Sequence, residues 1–459
     1  MGTRYDLIVV GSGVAASGVA SRVRQAGRSV AVIDCRPLGG TCALRGCDPK
    51  KVLVSGAETV RAARRLDGRG VRGGLAIDWA DLMSFKRGFT DPVPEQRARG
   101  FREAGIDVFH GTARFTGPRE LAVADTGLEA RNIVLAAGAE PVTLGIPGQE
   151  HLITHEGFLS LEALPERIVF IGGGYIAAEF SNIAALSGAR VTVLQRSERM
   201  LTGFDPDLVG WLMESFRAMG IEVVTGAKVQ AIEAGEGSAG GRTGTSRGFT
   251  VRYSSAGAAG PVQADLVVHA AGRRPAWEML DLEAGGVAAD DRGRLRLNEW
   301  LQSESNPAVY AAGDCAQRGP PLTPVAGRDA EIVAANLLEG NTRTADYRAV
   351  PTVAFTLPPI AAVGLGEAAA REASRDVRVH CGKASDWYTA RRIAEPVYGF
   401  KVLVDGKSRR VLGAHLVGPG AEETINLFAL AIRERLTTDA LREALFTYPT
   451  AASDIAYML

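Results

Sequence analysis

The sequence predicts an α/β protein with two doubly wound, Rossmann-like nucleotide-binding folds and a C-terminal α+β domain. Three observations carry this prediction. An apolar strand, a glycine-rich turn and a helix occur at 7–25 and again at 168–186, about 160 residues apart. Each is followed by a second apolar strand, which completes a βαβ unit. From Pro351 onward the pattern changes to alternating runs, as expected of an antiparallel sheet with one helix.

Taken in order, Leu7-Ile8-Val9-Val10 is a continuous apolar run, the mark of a strand buried on both faces of a parallel sheet. Gly11-Ser12-Gly13-Val14-Ala15-Ala16 follows, then helical residues to Gln25, then a second apolar run at 30–33 that ends at Asp34. Glycine lets the backbone approach a pyrophosphate, the helix N-terminus stabilises its charge, and an acid ending the next strand can accept a ribose hydroxyl. The same grammar returns at 168–171, with Gly172-Gly173-Gly174-Tyr175-Ile176-Ala177, a helix through Leu186 and a strand at 191–194. This copy ends Leu194-Gln195-Arg196, with no acid where the first has Asp34. An uncharged residue followed by Arg suits a 2′-phosphate, so NADPH is expected over NADH, with Arg199 as a second contributor.

Between 223 and 272 short runs at 223–229, 250–253 and 266–269 read as a small antiparallel meander. Its Gly/Ser-rich loops at 235–248 and 254–260 read as mobile connections. Runs at 353–355, 400–404 and 412–417 read as an antiparallel sheet, with an apolar helix at 422–434. The boundaries expected are 1–150, 151–272, 273–345 and 346–459.

Composition narrows the function. The chain has 459 residues, with 52 Lys+Arg against 52 Asp+Glu, interleaved, so nothing suggests nucleic acid or an acidic membrane as partner. No apolar stretch reaches the ~18 residues of a membrane span. The N-terminus enters an apolar run at once, leaving no room for a targeting peptide, and a cytoplasmic location is expected. Five cysteines form no disulfide framework. Gly, at 55 residues, is in surplus, as tight turns and backbone–ligand contacts require.

The most specific segment is Gly39-Gly40-Thr41-Cys42-Ala43-Leu44-Arg45-Gly46-Cys47-Asp48-Pro49-Lys50-Lys51. Two Cys five apart do not have metal-ligand spacing, and no metal site is expected. On an ideal helix their Cα atoms would lie ~9 Å apart, beyond the ~7 Å of a disulfide. A bridge would need a distorted turn, which Thr41, Gly46 and Pro49 allow. The alternative is two buried thiols beside a helix.

With these motifs the chain resembles the class I pyridine nucleotide-disulfide oxidoreductases, the family of glutathione reductase, dihydrolipoyl dehydrogenase and mercuric reductase. The resemblance covers essentially the whole sequence. It implies an FAD domain, an inserted NADPH domain, a return to the FAD domain and a dimerisation domain. It also implies a homodimer whose active site is shared across the interface. Gly11, Gly13 and Asp34 match the FAD site, as does Tyr310-Ala311-Ala312-Gly313-Asp314, whose Asp314 would hold the ribityl chain. Leu135-Ala136-Ala137-Gly138-Ala139 resembles the family's Ala-Thr-Gly segment, and Thr41, Lys51, Ala113 and Thr323 complete the expected FAD contacts. Gly172, Gly174, Tyr175, Ile176, Arg196 and Gly272 are the expected NADPH contacts, with Tyr175 as the aromatic gate. The resemblance implies a redox disulfide between Cys42, the interchange thiol, and Cys47, the thiol that faces the flavin and gives a charge-transfer complex when reduced. Lys50 would lie near flavin N5 and pair with Glu179.

Two departures bear on the acceptor. The family's C-terminal His-Pro-Thr-x-x-Glu is here Tyr448-Pro449-Thr450-Ala451-Ala452-Ser453, and none of the six His lies near it. A phenol with pKa near ~10 donates a hydrogen bond at neutral pH but is a poor base. Where glutathione reductases carry binding arginines, this chain has Ser21 and Glu331, and a carboxylate should repel an anionic disulfide. A small disulfide other than glutathione disulfide is therefore the expected acceptor. A thiolate-bound metal ion is the alternative, although neither the mercuric reductases' C-terminal cysteine pair nor their N-terminal metal-binding module is expected for this protein. A lipoamide-type or scaffold flavoprotein without disulfide turnover is a further one. Cys35, Cys315 and Cys381 are expected to be bystanders.

Overall fold

The computed structural model describes residues 3–235, 248–255 and 260–459. The loops expected at 235–248 and 254–260 lie outside the described residues except at their ends. The chain forms two compact units: one of 1–49, 86–142 and 273–347, the other of 50–85, 143–272 and 348–459.

The first unit is built on a sheet ordered Asp107–His110, Val30–Asp34, Thr3–Val10, Thr126–Leu135, then the antiparallel strands Glu120–Val123 and Ala113–Gly117. The C-terminal half of Thr126–Leu135 pairs in parallel with Val309–Ala311. The in-register set Val9, Val32 and Val134 puts apolar side chains on one face of the sheet, and the neighbouring set Ile8, Ala31 and Ile133 on the other. One face packs on Leu280, Val287 and Leu295, the other on Val19, Ala20 and Val333 from helices Val14–Gln25 and Thr323–Glu339. Burial on both faces is why these strands read as unbroken apolar runs.

The second unit contains a parallel sheet ordered Glu222–Val224, Arg190–Leu194, Arg167–Ile171, Leu266–His269. Helix Tyr175–Leu186 is buried along nearly its whole length. Residues 223–224 and 266–269, expected in an antiparallel meander, are strands of this parallel sheet. The meander consists of Lys228–Ala234, Phe249–Ser254 and Gly260–Ala264. Leu266, Val267, Val268 and His269 are all buried, so the run lacks the alternation of a half-exposed strand. The C-terminal sheet has five antiparallel strands, ordered Thr352–Ala354, Ile360–Gly364, Val411–Val417, Gly399–Asp405, Val377–Lys383, with helix Ala421–Arg433 against it. Phe170, Phe180 and Leu212 of the nucleotide fold share one core with Leu53, Val54, Ile360 and Val417. Glu395 is buried there and held by Arg61, with Nη2–Oε1 at 2.9 Å, and by Arg65. Burial lowers both guanidinium pKa values to about 10.

Candidate active site

In the first unit the turn after strand Thr3–Val10 can be made only by glycine. Gly11 has φ +110°, and a Cβ there would sit 2.3 Å from the Ala136 carbonyl oxygen. Gly13 precedes helix Val14–Gln25, and a Cβ on Gly40 would lie 2.4 Å from Gly13 Cα. Two bare backbones thus meet at a helix N-terminus, a cradle suited to a pyrophosphate. Ser12 fixes this corner: its Oγ donates to Asp34 Oδ2 at 2.6 Å and accepts from Gly39 N at 3.0 Å. Arg36 N donates to Asp34 Oδ1 at 2.9 Å, and the carboxylate keeps lone pairs for a ribose hydroxyl.

One cleft is lined by Gly11, Gly13, Asp34, Thr41, Cys42, Cys47, Ala113, Gly138, Asp314 and Thr323, so the structure brings these expected residues together. Asp314 follows strand Val309–Ala311. Burial raises its pKa, and Arg273, 3.8 Å away, opposes the shift. Its turn is held from behind by the buried Asp329, which accepts from Gly313 N at 2.9 Å and from Tyr347 Oη at 2.8 Å.

The cysteines flank a break between two helices. Helix Gly40–Arg45 stops at Gly46, where a Cβ would come 3.0 Å from the Thr41 carbonyl oxygen, and helix Cys47–Arg65 starts at the next residue. This is the kind of distorted turn that a bridge between the two cysteines would need. Thr323 Oγ1 lies 3.1 Å from Cys42 Sγ and 3.5 Å from Cys47 Sγ. Cys42 Sγ also donates to Asp48 Oδ1 at 3.7 Å. The Cys42 pKa is raised, chiefly by its hydrogen bond with Cys47 and then by burial. The physical content is that the adjacent thiols do not both ionise.

In the second unit Gly172 repeats the geometry of Gly11: φ is +110°, and a Cβ would sit 2.2 Å from the Ala270 carbonyl oxygen. Gly174 precedes helix Tyr175–Leu186, which carries Tyr175, Ile176 and Glu179, and Gly272 follows strand Leu266–His269 with φ +118°. Lys50 Nζ and Glu179 Oε2 are 3.0 Å apart and buried. Glu179 Oε1 accepts from Phe355 N at 2.7 Å, and Lys50 Nζ lies 4.4 Å from the Phe355 ring centre. Lys51 pairs with Glu58 at 3.0 Å. The Tyr175 hydroxyl shares a 2.7 Å hydrogen bond with Thr352, and its ring meets Phe204 edge-on. Arg196 is exposed and, among the described residues, has no ion-pair partner. Arg199 is engaged otherwise, donating to the carbonyls of Leu201, Thr202 and Phe204.

Tyr448 is 74% exposed, its ring stacked on that of Tyr388 at 6.4 Å. Ser453 forms a capping box with Thr450. Glu331 is held by Arg22 at 3.1 Å and Arg328 at 3.0 Å, so its repulsion of an anionic disulfide is largely compensated, contrary to expectation. Ser12, Asp48 and Asp329 were not singled out by sequence reasoning. For Asp329 the signal was present, as an acid inside the apolar face of helix Thr323–Glu339.

A nucleotide cradle beside a cysteine pair, with a second glycine turn of the same geometry, defines a flavin-linked pyridine-nucleotide oxidoreductase. The chain belongs to the pyridine nucleotide-disulphide oxidoreductase family, whose description matches residues 5–330 and whose dimerisation domain matches 350–458. It is similar to a mercuric reductase of Staphylococcus aureus, 32% identical over 98% of this chain and 81% of that protein. It is 31% identical to a glutathione reductase of Burkholderia cepacia, over 98% and 97%. Among solved structures it resembles the Cu(II) complex of the HOCl-induced flavoprotein disulfide reductase RclA from Escherichia coli. The TM-score is 0.87 and the identity 27%, over 99% of each chain. The protein is thus an enzyme of a family that binds FAD and uses NAD(P)H, and the dimerisation domain supports a homodimer. Among the described residues no helix is long and apolar enough to cross a membrane, and no group of three or more His, Cys, Asp or Glu could hold a metal ion.

Proposed function

We propose that this enzyme passes two electrons from NADPH through Cys42 and Cys47 to a small disulfide other than glutathione disulfide. The observation that carries the reading is the convergence of both cysteines on Thr323 Oγ1, at a helix break that opens on the nucleotide cleft. FAD, when bound, supplies the relay between the nicotinamide hydride and sulfur. Gly11, Gly13 and Thr41 would bind its phosphates, Asp34 its ribose and Asp314 its ribityl chain, with Ala113, Gly138 and Thr323 lining the rest. Gly172, Gly174, Ile176 and Gly272 would form the NADPH turn, with Tyr175 gating and Arg196 taking the 2′-phosphate. Lys50, Lys51 and Glu179 enter the reading on resemblance. Cys42 attacks the acceptor, and Cys47 then closes the disulfide.

What separates the acceptor from that of a typical disulfide reductase is the proton donor. A phenol can donate a hydrogen bond to a departing sulfur but is a weak acid, and Ser453 is occupied in its cap. Acceptors whose thiols leave as stable anions should therefore be favoured. The same weakness supports a second reading, reduction of a thiolate-bound metal ion, which needs no protonated leaving thiol. Relatives named mercuric reductase and the Cu(II) complex of RclA point the same way. The test is an acceptor screen of aromatic and alkyl disulfides, quinones and metal ions, following NADPH oxidation. Turnover of an activated disulfide above all others supports the first reading, preferential metal-ion turnover the second, and quinone turnover in a Cys42→Ser variant removes both.

A further inference from the structure

The segment that bears the cysteines also bears a carboxylate that the reaction outlined above does not use. Asp48 is the second residue of helix Cys47–Arg65, and its Oδ1 lies 3.7 Å from Cys42 Sγ, at hydrogen-bond distance for a sulfur donor. On another side of the same sulfur stands Thr323 Oγ1 at 3.1 Å. A hydroxyl brings no charge, so the formal charge in direct contact with Cys42 Sγ is negative. Asp48 is itself exposed, so that charge also faces whatever approaches the sulfur from solvent. Glu331 cannot play this part, being held by Arg22 and Arg328. Arg45, three residues after Cys42, lines the same cleft.

We propose that Asp48 is a specificity-determining residue that favours acceptors carrying neutral or cationic groups beside the reacting sulfur and disfavours anionic ones. The proposal rests on the reading above, in which Cys42 is the sulfur that meets the acceptor. In the exchange Cys42 Sγ loses its proton and bonds to one acceptor sulfur, the acceptor's S–S bond breaks, and the departing thiolate takes up that proton. Cys47 then attacks Cys42 Sγ, gives up its proton to the second departing thiolate, which it expels, and forms the Cys42–Cys47 bond. Two electrons pass from the cysteine pair to the acceptor. An acceptor sulfur that bonds to Cys42 Sγ comes within the field of Asp48, which attracts an ammonium-bearing thiol and repels a carboxylate-bearing one. For unit charges ~6 Å apart at an effective dielectric of ~40, the effect is about tenfold per charge.

The test uses the FAD-loaded enzyme, reduced with a phosphine and desalted. Alkylation of Cys42 by anionic iodoacetate and by neutral iodoacetamide is followed by peptide mass spectrometry. Asp48→Asn should raise the iodoacetate-to-iodoacetamide rate ratio about tenfold, and Asp48→Glu should leave it within about twofold of the parent. In a second arm, kcat/KM is compared for cystamine, a dication, and 3,3′-dithiodipropionate, a dianion. The parent should prefer cystamine, and Asp48→Asn should erode that preference by about tenfold or more. If disulfides are reduced but neither ratio moves in Asp48→Asn, the proposal is overturned while the proposed function stands. If the alkylation ratio moves but the parent reduces no disulfide, Asp48 keeps its role at Cys42 and the proposed function falls.

Discussion

Replacing Glu179 by Gln removes one charge of a buried pair and little else. Lys50 and Glu179 are 8% and 6% exposed and 3.0 Å apart, and deleting one partner of such a pair costs ~3–5 kcal/mol because the other charge stays buried. Gln keeps an oxygen that can accept from Phe355 N, so that bond, worth ~1 kcal/mol, survives. Lys50 also keeps the Phe355 ring at 4.4 Å, a cation–π contact of ~0.5–2 kcal/mol. Both contacts are common to parent and variant, so the loss stays at ~3–5 kcal/mol, a fall in Tm of about 6–20 °C at the sensitivity of a domain of ~150–250 residues. Glu179→Ala also loses the bond to Phe355 and should cost ~1 kcal/mol more. The double variant Lys50→Met/Glu179→Leu buries no charge and should recover most of the stability. The assay is the melting curve of the FAD-loaded enzyme by intrinsic fluorescence. A Glu179→Gln melt within about 1 °C of the parent, or a double variant no more stable than the single one, would refute the argument.

The other predictions concern the reaction. Arg196→Ala should lower kcat/KM for NADPH about ten- to a hundred-fold, the value of a charge-assisted phosphate contact, and leave NADH unchanged; equal losses would show that Arg196 does not read the 2′-phosphate. Tyr448→Phe should slow acceptor reduction in stopped flow without altering the NADPH phase. In the parent, aromatic disulfides should outrun alkyl ones because exchange depends on the leaving thiol's pKa; equal rates for both would show that another acid is at work. Because the Cys42 pKa is raised, its thiol should be protonated at pH 7, and its alkylation by iodoacetamide should climb as pH rises beyond the ordinary thiol range. A plateau below pH 8 would contradict this.

The sequence was most legible where one residue type has one physical use. Gly11 and Gly172 stand at φ +110° against a carbonyl oxygen, a position that no side chain can share, so the two glycine turns could be read directly. The break at Gly46 followed from the impossibility of closing an i, i+5 pair on a regular helix. Strands were misassigned where the decisive fact was the neighbour. Leu266–His269 and Glu222–Val224 are too short for their period to reveal parallel pairing, and Ile360–Gly364 and Val377–Lys383 did not stand out as strands. Charge arguments failed for the same reason. Glu331 looked like an isolated anion until Arg22, more than three hundred positions earlier, proved to be its partner, and Arg199 looked available until its carbonyl contacts were seen. Asp48 lay in plain view within the cysteine motif, but its meaning depends on the turn that points it at Cys42.

The central claim is that electrons from NADPH reach the acceptor through Cys42 and Cys47. Anaerobic NADPH titration of the FAD-loaded enzyme, followed by absorbance, tests it most directly. The parent should develop a long-wavelength band from a Cys47 thiolate lying against the oxidised flavin, and Cys47→Ser should lose that band. A band that persists in Cys47→Ser, or a parent in which NADPH bleaches the flavin and no band appears, would contradict the account.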